Sequence, residues 1–138
     1  MKNDNLKLKM KEDREKFKKV FKARIYSFIL RLTGFVDKMS KDESSRIFAK
    51  QIIRSGTSIG ANYIEAQAAS SRKDFANFFH HSLKSANESK FWLAIIKDTG
   101  KGNRIEAEAL LKELNEISNI LAKSLITIKE IKNENEKS

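Results

Sequence analysis

The sequence predicts an all-α chain, folded as an up-down-up-down antiparallel four-helix bundle. Four long segments carry apolar residues at steps of three and four, the period of one helix face. Capping signals fall between those segments. Turn residues are scarce: there is no proline and there are only five glycines among 138 residues. A β-rich domain of this length would need more turn punctuation. The length suits one hydrophobic core. The reading divides the chain into a basic flexible N-terminal tail over residues 1–11, a bundle over 12–131 and a polar C-terminal tail over 132–138.

The first helix is expected from about Glu12 to Val36, ending near Met39. Phe17, Phe21, Phe28, Leu32 and Phe35 recur at spacings of three, four or seven and share a face. Val20, Ile25, Ile29 and Val36 widen that stripe, and lysines and arginines fill much of the remainder. The second helix is expected from about Asp42 to Ala69, with Ser40 as N-cap and Glu43 completing a capping box. Its buried face is read as Phe48, Ile52, Ile59, Tyr63 and Ala66. Gly56 and Gly60 lie inside it, at a cost of roughly 1 kcal/mol each against alanine. The apolar period nevertheless runs through without a phase break, so helix is preferred to loop. Small residues there would let a neighbouring helix approach closely.

The third helix begins after Ser71, whose spacing to Asp74 matches a capping pattern. Phe75, Phe79, Ser82, Ala86, Leu93 and Ile96 follow one helical period. Phe78, Phe91, Trp92 and Ile95 form a second apolar strip beside it. A helix apolar on two faces must bury both. That strip is therefore the expected oligomer interface, the alternative being one wide core face. Gly100 is the expected C-cap. The fourth helix opens with Asn103 and Glu106 as a capping box. Leu110, Leu114, Ile117, Leu121, Leu125, Ile128 and Ile131 then run at near-heptad spacing.

Composition narrows the function. The chain has no cysteine, which removes disulfides, thiolate metal sites and cysteine nucleophiles and fits a reducing cytoplasm. No apolar run approaches the roughly 18 to 20 residues of a membrane span, and no membrane partner is expected. The basic start is followed by more charge, unlike a secretory leader. The formal net charge is +10. Met1 to Arg31 holds eleven Lys or Arg against four Asp or Glu, whereas Asn103 to Ser138 holds six against seven. Positive charge thus gathers at the start, which points to polyanionic partners or to a solvated helix face.

Catalytic patterns are missing. His80 and His81 are adjacent, so on a helix they point about 100° apart and do not make the i, i+4 pair of a helical metal site. There is no G-x-S-x-G elbow. Gly56 to Gly60 lacks the lysine and spacing of a phosphate-binding loop. The expectation is a non-enzyme with no metal and no cofactor. Arg46, Lys50 and Arg54 form a basic stripe at i, i+4 and i+8. It can follow phosphates, pair with acidic neighbours or simply be solvated. Asn62, Glu65, Asn87 and Glu88 suggest a polar layer between the second and third helices, with Arg54 as counter-charge. Its role would be structural, because buried polar groups must be paired.

The run Gln51-Ile52-Ile53-Arg54-Ser55-Gly56-Thr57-Ser58-Ile59-Gly60-Ala61-Asn62-Tyr63-Ile64-Glu65-Ala66 resembles the signature of one family, and so does Leu83-Lys84-Ser85-Ala86-Asn87-Glu88-Ser89-Lys90-Phe91-Trp92-Leu93. These are the four helix bundle proteins first known from reading frames in 23S rRNA intervening sequences of bacteria. The accessory variability determinant of diversity-generating retroelements is a relative. The resemblance covers about Phe17 to Lys129. It implies an up-down bundle, homopentameric rings and no enzymatic activity. For the retroelement relative, it implies binding to nucleic acid and to a reverse transcriptase through basic surfaces.

The leading functional expectation is a cytoplasmic, oligomeric RNA- or DNA-binding protein. Lys7, Lys9, Lys11, Arg14, Lys16, Lys18, Lys19, Lys22 and Arg24 would supply phosphate contacts, with Arg46, Lys50 and Arg54 adding to them. The alternative is a structural or protein-interaction module, such as a reverse-transcriptase accessory, that uses the Phe78, Phe91, Trp92 and Ile95 strip. An amphipathic first helix on an anionic membrane comes third.

Overall fold

The computed structural model describes residues 2–137. Four helices follow in order: α1 (Lys2–Asp37), α2 (Glu43–Gln67), α3 (Arg72–Asp98) and α4 (Arg104–Lys137). Short connections make consecutive helices antiparallel neighbours. The α2–α3 pair is the most extensively packed, followed by α3–α4, while α1 lies more lightly on α2 and α4. The all-α bundle is as the periodicity predicts. No helix among the described residues is long and apolar enough to cross a membrane.

Most of the stripes read from the sequence form the core, while Phe48, Phe75 and Ile128, expected in them, are only half-buried at its margin. Phe21, Ile25, Phe28, Leu32 and Phe35 of α1 meet Ile52, Ile59, Tyr63 and Ala66 of α2. Phe79, Ala86, Leu93 and Ile96 of α3 and Leu110, Leu114, Ile117, Leu121 and Leu125 of α4 close the set. α2 runs unbroken through Gly56 and Gly60. A Cβ on Gly56 would fall inside the contact shell of Leu32 Cδ2, and one on Gly60 would sit 3.0 Å from Ile29 Cδ1. The two glycines are thus where α1 comes closest to α2.

Several boundaries differ from the expectation. α1 is helical from Lys2 and not from Glu12, so the segment 2–11, read as a flexible tail, is part of the helix. It nonetheless lies outside the core, whose first α1 member is Phe21. Phe17 and Val20, expected in the buried stripe, are exposed: Phe17 lies past the last buried position of α1, and Val20 points off the buried face beside Phe21. α4 likewise continues past Ile131 to Lys137, through a sequence with no Gly or Pro to stop it. Ile131, expected in the α4 stripe, is exposed.

The caps of α3 and α4 form as expected: Ser71 accepts the Asp74 N–H at 3.1 Å and Asn103 Oδ1 the Glu106 N–H at 2.9 Å. Gly100 follows the Thr99 C-cap with φ +68°, the left-handed geometry that glycine takes without strain. The expected Ser40–Glu43 capping box is not made. Asp42 occupies the N-cap position, and its carboxylate turns away from the helix N–H groups. It accepts instead from the Ser44 and Ser45 hydroxyls and from Lys101 Nζ at 2.6 Å. The ammonium of Lys101 is the stronger partner for a carboxylate.

Candidate functional site

The two ends of the bundle are built differently. At the end holding the α1–α2 and α3–α4 connections, the loops are tied together. Ser40 N–H donates to Lys101 O at 3.1 Å, and Lys101 bridges to Asp42. Hydrogen bonds from Lys101, Ser45 and Ser40 hold the Asp42 carboxyl well below the usual carboxylate range. At the opposite end α1 and α4 run on past their last core members, Phe21 and Leu125, beyond the α2–α3 turn.

The inward stripe of α1 changes chemistry where the helix leaves the core. Phe35, Leu32, Phe28, Ile25 and Phe21 are buried. Continuing upstream with the same alternating steps of three and four gives Lys18, Arg14, Lys11 and Lys7. One helix face is therefore apolar inside the bundle and gains a row of basic residues outside it, with exposed Phe17 and Met10 beside that row. Of the expected phosphate contacts, Lys7, Lys9, Lys11, Arg14, Lys16, Lys19 and Lys22 are exposed and Lys18 is half-exposed. Lys18 also meets Glu15 at 3.3 Å, an exposed pair of small value.

Arg24 is placed otherwise. Its guanidinium lies against α4, donating to both carboxylate oxygens of Glu113 at 2.6–3.1 Å and also to Glu116. The Glu113 hydrogen bonds raise the guanidinium above its ordinary value against the opposing pull of burial. The same contacts lower the Glu113 carboxyl. Arg24 is thus a clamp between α1 and α4. No spacing in the sequence announces a pair so distant along the chain; only the bundle register makes it.

The α2 stripe is also divided. Arg46 and Lys50 are exposed, whereas Arg54 pairs with Glu88 on α3 and donates to Gln51 Oε1 at 2.9 Å. Glu88 accepts from Trp92 Nε1 at 3.1 Å as well. Glu65 and Asn87, expected beside them, are exposed. Asn62 donates back to Ser58 O at 2.9 Å within its own helix. Of the expected polar layer the Arg54–Glu88 pair does join α2 to α3, and the rest of the layer is made by serines: Ser89 donates to Ser55 at 2.8 Å, Ser85 to Ser58 at 3.1 Å and Ser82 to Ile59 O at 2.9 Å. The signal was in the sequence, since these serines recur at helical spacing on facing stripes. A hydroxyl is easily read as surface, but here it lets two backbones approach closely.

The aromatic strip of α3 is only partly open. Phe78, Trp92 and Ile95 are half-buried, and Phe91 is 58% exposed with its ring edge-on to Trp92 at 5.2 Å. A second exposed apolar face was not anticipated. Tyr26 of α1 and Ile64 of α2 flank a shallow groove of about 150 Å³ along Gly60, and Leu30 is exposed on the same helix as Tyr26. Tyr26 and Leu30 are one turn apart, off the core stripe, and that spacing was available to find them. His80 and His81 are both exposed.

Comparison with known proteins agrees with this architecture. No curated protein matches the chain. A crystal structure of a protein of unknown function from the S23 ribosomal protein family of Bacteroides thetaiotaomicron is 34% identical, with a TM-score of 0.71, over 76% of this chain and 97% of that one. The family model of the 23S rRNA-intervening sequence proteins matches residues 20–123. That span begins just before Phe21 and stops just before the core's last member, Leu125, leaving most of both overhangs outside. A match over most of the chain, joined to the shared bundle, establishes the identity: the chain belongs to the family of 23S rRNA-intervening sequence proteins.

Proposed function

We propose that this is a non-catalytic, oligomeric cytoplasmic protein that binds RNA or DNA through the basic overhang of α1. The observation that carries the reading is the switch in the inward stripe, from Phe21 and Ile25 to Lys18, Arg14, Lys11 and Lys7. Lysines placed to pack against a core would cost stability, but these project beyond it. Their charges are unneutralised in large part: residues 2–22 hold nine Lys or Arg against four Asp or Glu. Binding of this kind is electrostatic and weakly selective for sequence. Arg24 and Arg54 drop out of the phosphate-contacting set because their guanidiniums are already committed. A titration of binding to a structured RNA against salt tests the reading. The expected plot of log affinity against log salt is steep, with a slope reporting several phosphates; a flat one would count decisively against it.

A second reading, an assembly or protein-interaction module, is favoured by Phe91. An aromatic ring so exposed beside Trp92 is of the kind that anchors interfaces. Homopentamers, as the family resemblance implies, would bury it, and a reverse transcriptase is one candidate partner. Phe91→Glu is expected to lower the mass measured by sedimentation, leaving helicity unchanged. A monomeric parent protein would rule out self-assembly.

A further inference from the structure

We propose that the open end of the bundle is a single-stranded nucleic-acid site, where an unpaired base stacks on Phe17 and the flanking phosphates lie on basic walls. This names the substrate form for the nucleic-acid reading above and rests on it. The first observation is a chain of aromatic rings crossing the end of the bundle. Phe17 lies nearly parallel to Phe21, with centroids 5.9 Å apart and an interplanar angle of 24°. Phe21 meets Tyr63 edge-on at 5.1 Å, Tyr63 meets Phe79 at 5.7 Å, and Phe79 meets Phe75 at 4.8 Å. The middle of that chain is buried and its first ring is not: Phe17 is 50% exposed. A ring braced from behind and open in front is a stacking platform.

The second observation is the cleft this platform lines. It has a volume of about 470 Å³, between α1, the α2–α3 turn and α4, within the usual range for a small-molecule site. Its apolar part is Phe17, Phe75, Phe79 and Ile128; Arg14 and Lys18 rise on the α1 side, with Asp13 the one acidic member of the lining. A second recess of about 620 Å³ continues past Ile128 and carries Arg72, Lys73 and Lys129. Arg14 and Lys18 of α1 thus border the aromatic floor itself, and Arg72 and Lys73 of α3 with Lys129 of α4 line the adjoining recess, which shares Ile128 with it.

That combination selects among polyanions. A duplex offers phosphates but keeps its bases stacked on one another, so it can use the walls and not the floor. An acidic peptide or a lipid headgroup brings charge without a flat π face. Single-stranded nucleic acid brings both, and base–aromatic stacking tolerates any base.

The test compares the full-length protein on two fluorescein-labelled probes, an oligouridylate and an RNA duplex of equal length. Phe17 lies outside the core, so its variants are expected to keep the helicity of the parent, and circular dichroism checks this. The parent is expected to prefer the single strand. Phe17→Leu keeps apolar bulk but loses the π face; it should weaken the single strand at least about fivefold and leave the duplex unchanged, while Phe17→Trp restores the single-strand affinity. Equal affinity for both probes, or a Phe17→Leu protein indistinguishable from the parent, would overturn the cleft while leaving the basic helix standing. Binding to neither RNA in dilute salt would overturn both proposals, and binding only to vesicles of anionic phospholipid would do so in favour of a membrane.

Discussion

The closed and open ends of this bundle contain similar helices and differ in what the chain spends its charges on. At the closed end, Lys101 and Asp42 neutralise each other across two loops, and Lys38 reaches Glu106 at 3.6 Å. Gly102 lets the Phe35 ring pack against the adjacent connection. At the open end Arg14 and Lys18 line the aromatic cleft with Asp13, and Arg72, Lys73 and Lys129 line the recess next to it. The lesson is one of economy in the fold. Charge paired within the chain at one end sets loop geometry, and charge left unpaired at the other remains available to a partner. Stability should therefore be sensitive at the first end and binding at the second.

The largest expected effect separates the two. Reversing Lys7, Lys11, Arg14 and Lys18 to Glu is expected to weaken RNA binding at least about a hundredfold at about 50 mM salt, because each lost phosphate contact removes its counterion release. Thermal unfolding should move little, since Lys7, Lys11 and Arg14 are exposed and Lys18 is half-exposed. Retained binding would place the site elsewhere on the molecule. Next in size, Gly102→Val is expected to destabilise by about 1–3 kcal/mol through overpacking. A Cβ at Gly102 would sit 2.5 Å from Phe35 Cζ and 2.9 Å from Ile96 Cγ2, both on buried side chains that cannot swing away. Denaturant unfolding measures this, and RNA binding should survive at temperatures where the variant is folded.

How legible these ends were follows from what a period can and cannot encode. The core stripes repeat every three or four residues along a single helix, so Phe21 to Phe35 and Leu110 to Leu125 were readable without any partner. The caps at Ser71 and Asn103 were equally local. The point where α1 leaves the core was not, because it depends on where α2 and α3 stop, and Phe17 looks identical to Phe21 until the neighbours are known. Arg24 was readable as basic but not as paired, since Glu113 lies far off in sequence, whereas Arg54 was read as counter-charge to a layer that includes Glu88, the partner it takes. The Ser40–Glu43 capping box failed for a related reason: the local motif lost to Lys101, which arrives from a distant loop. The candidate site was legible as charge and not as a cleft.

Arg24 offers a sharper cut between binding and stability, because it belongs to the basic run of α1 in sequence but to the clamp in space. Arg24→Met leaves Glu113, only 18% exposed, without its cation. A cost of about 1 kcal/mol is expected from the lost charge-assisted bonds, discounted for the partial exposure of Arg24 itself. RNA affinity should be unchanged within about twofold, against at least about a hundredfold for the reversed set. An Arg24→Met protein that binds RNA poorly but unfolds like the parent would return Arg24 to the phosphate-contacting residues.

The smallest effect is expected from pH. Asp42 and Glu113 both have folded-state carboxyls held below their ordinary values, by Lys101 in one case and by Arg24 in the other. A depressed carboxyl binds fewer protons folded than unfolded, so its contribution is fully present above the unfolded value of about 4 and fades as pH falls toward the folded one. Stability should be flat from about pH 7 to 5 and decline below about 4. Asp42→Asn should flatten part of that decline, and Glu113→Gln another part, each by lowering stability at neutral pH and not by raising it in acid. The Asp42 part should also shrink more in high salt, because the Asp42 carboxylate is more exposed than that of Glu113. If the two variants lose the same fraction of their acid slope when salt is added, the closed end is no better insulated than the surface, and the contrast between paired and available charge fails there.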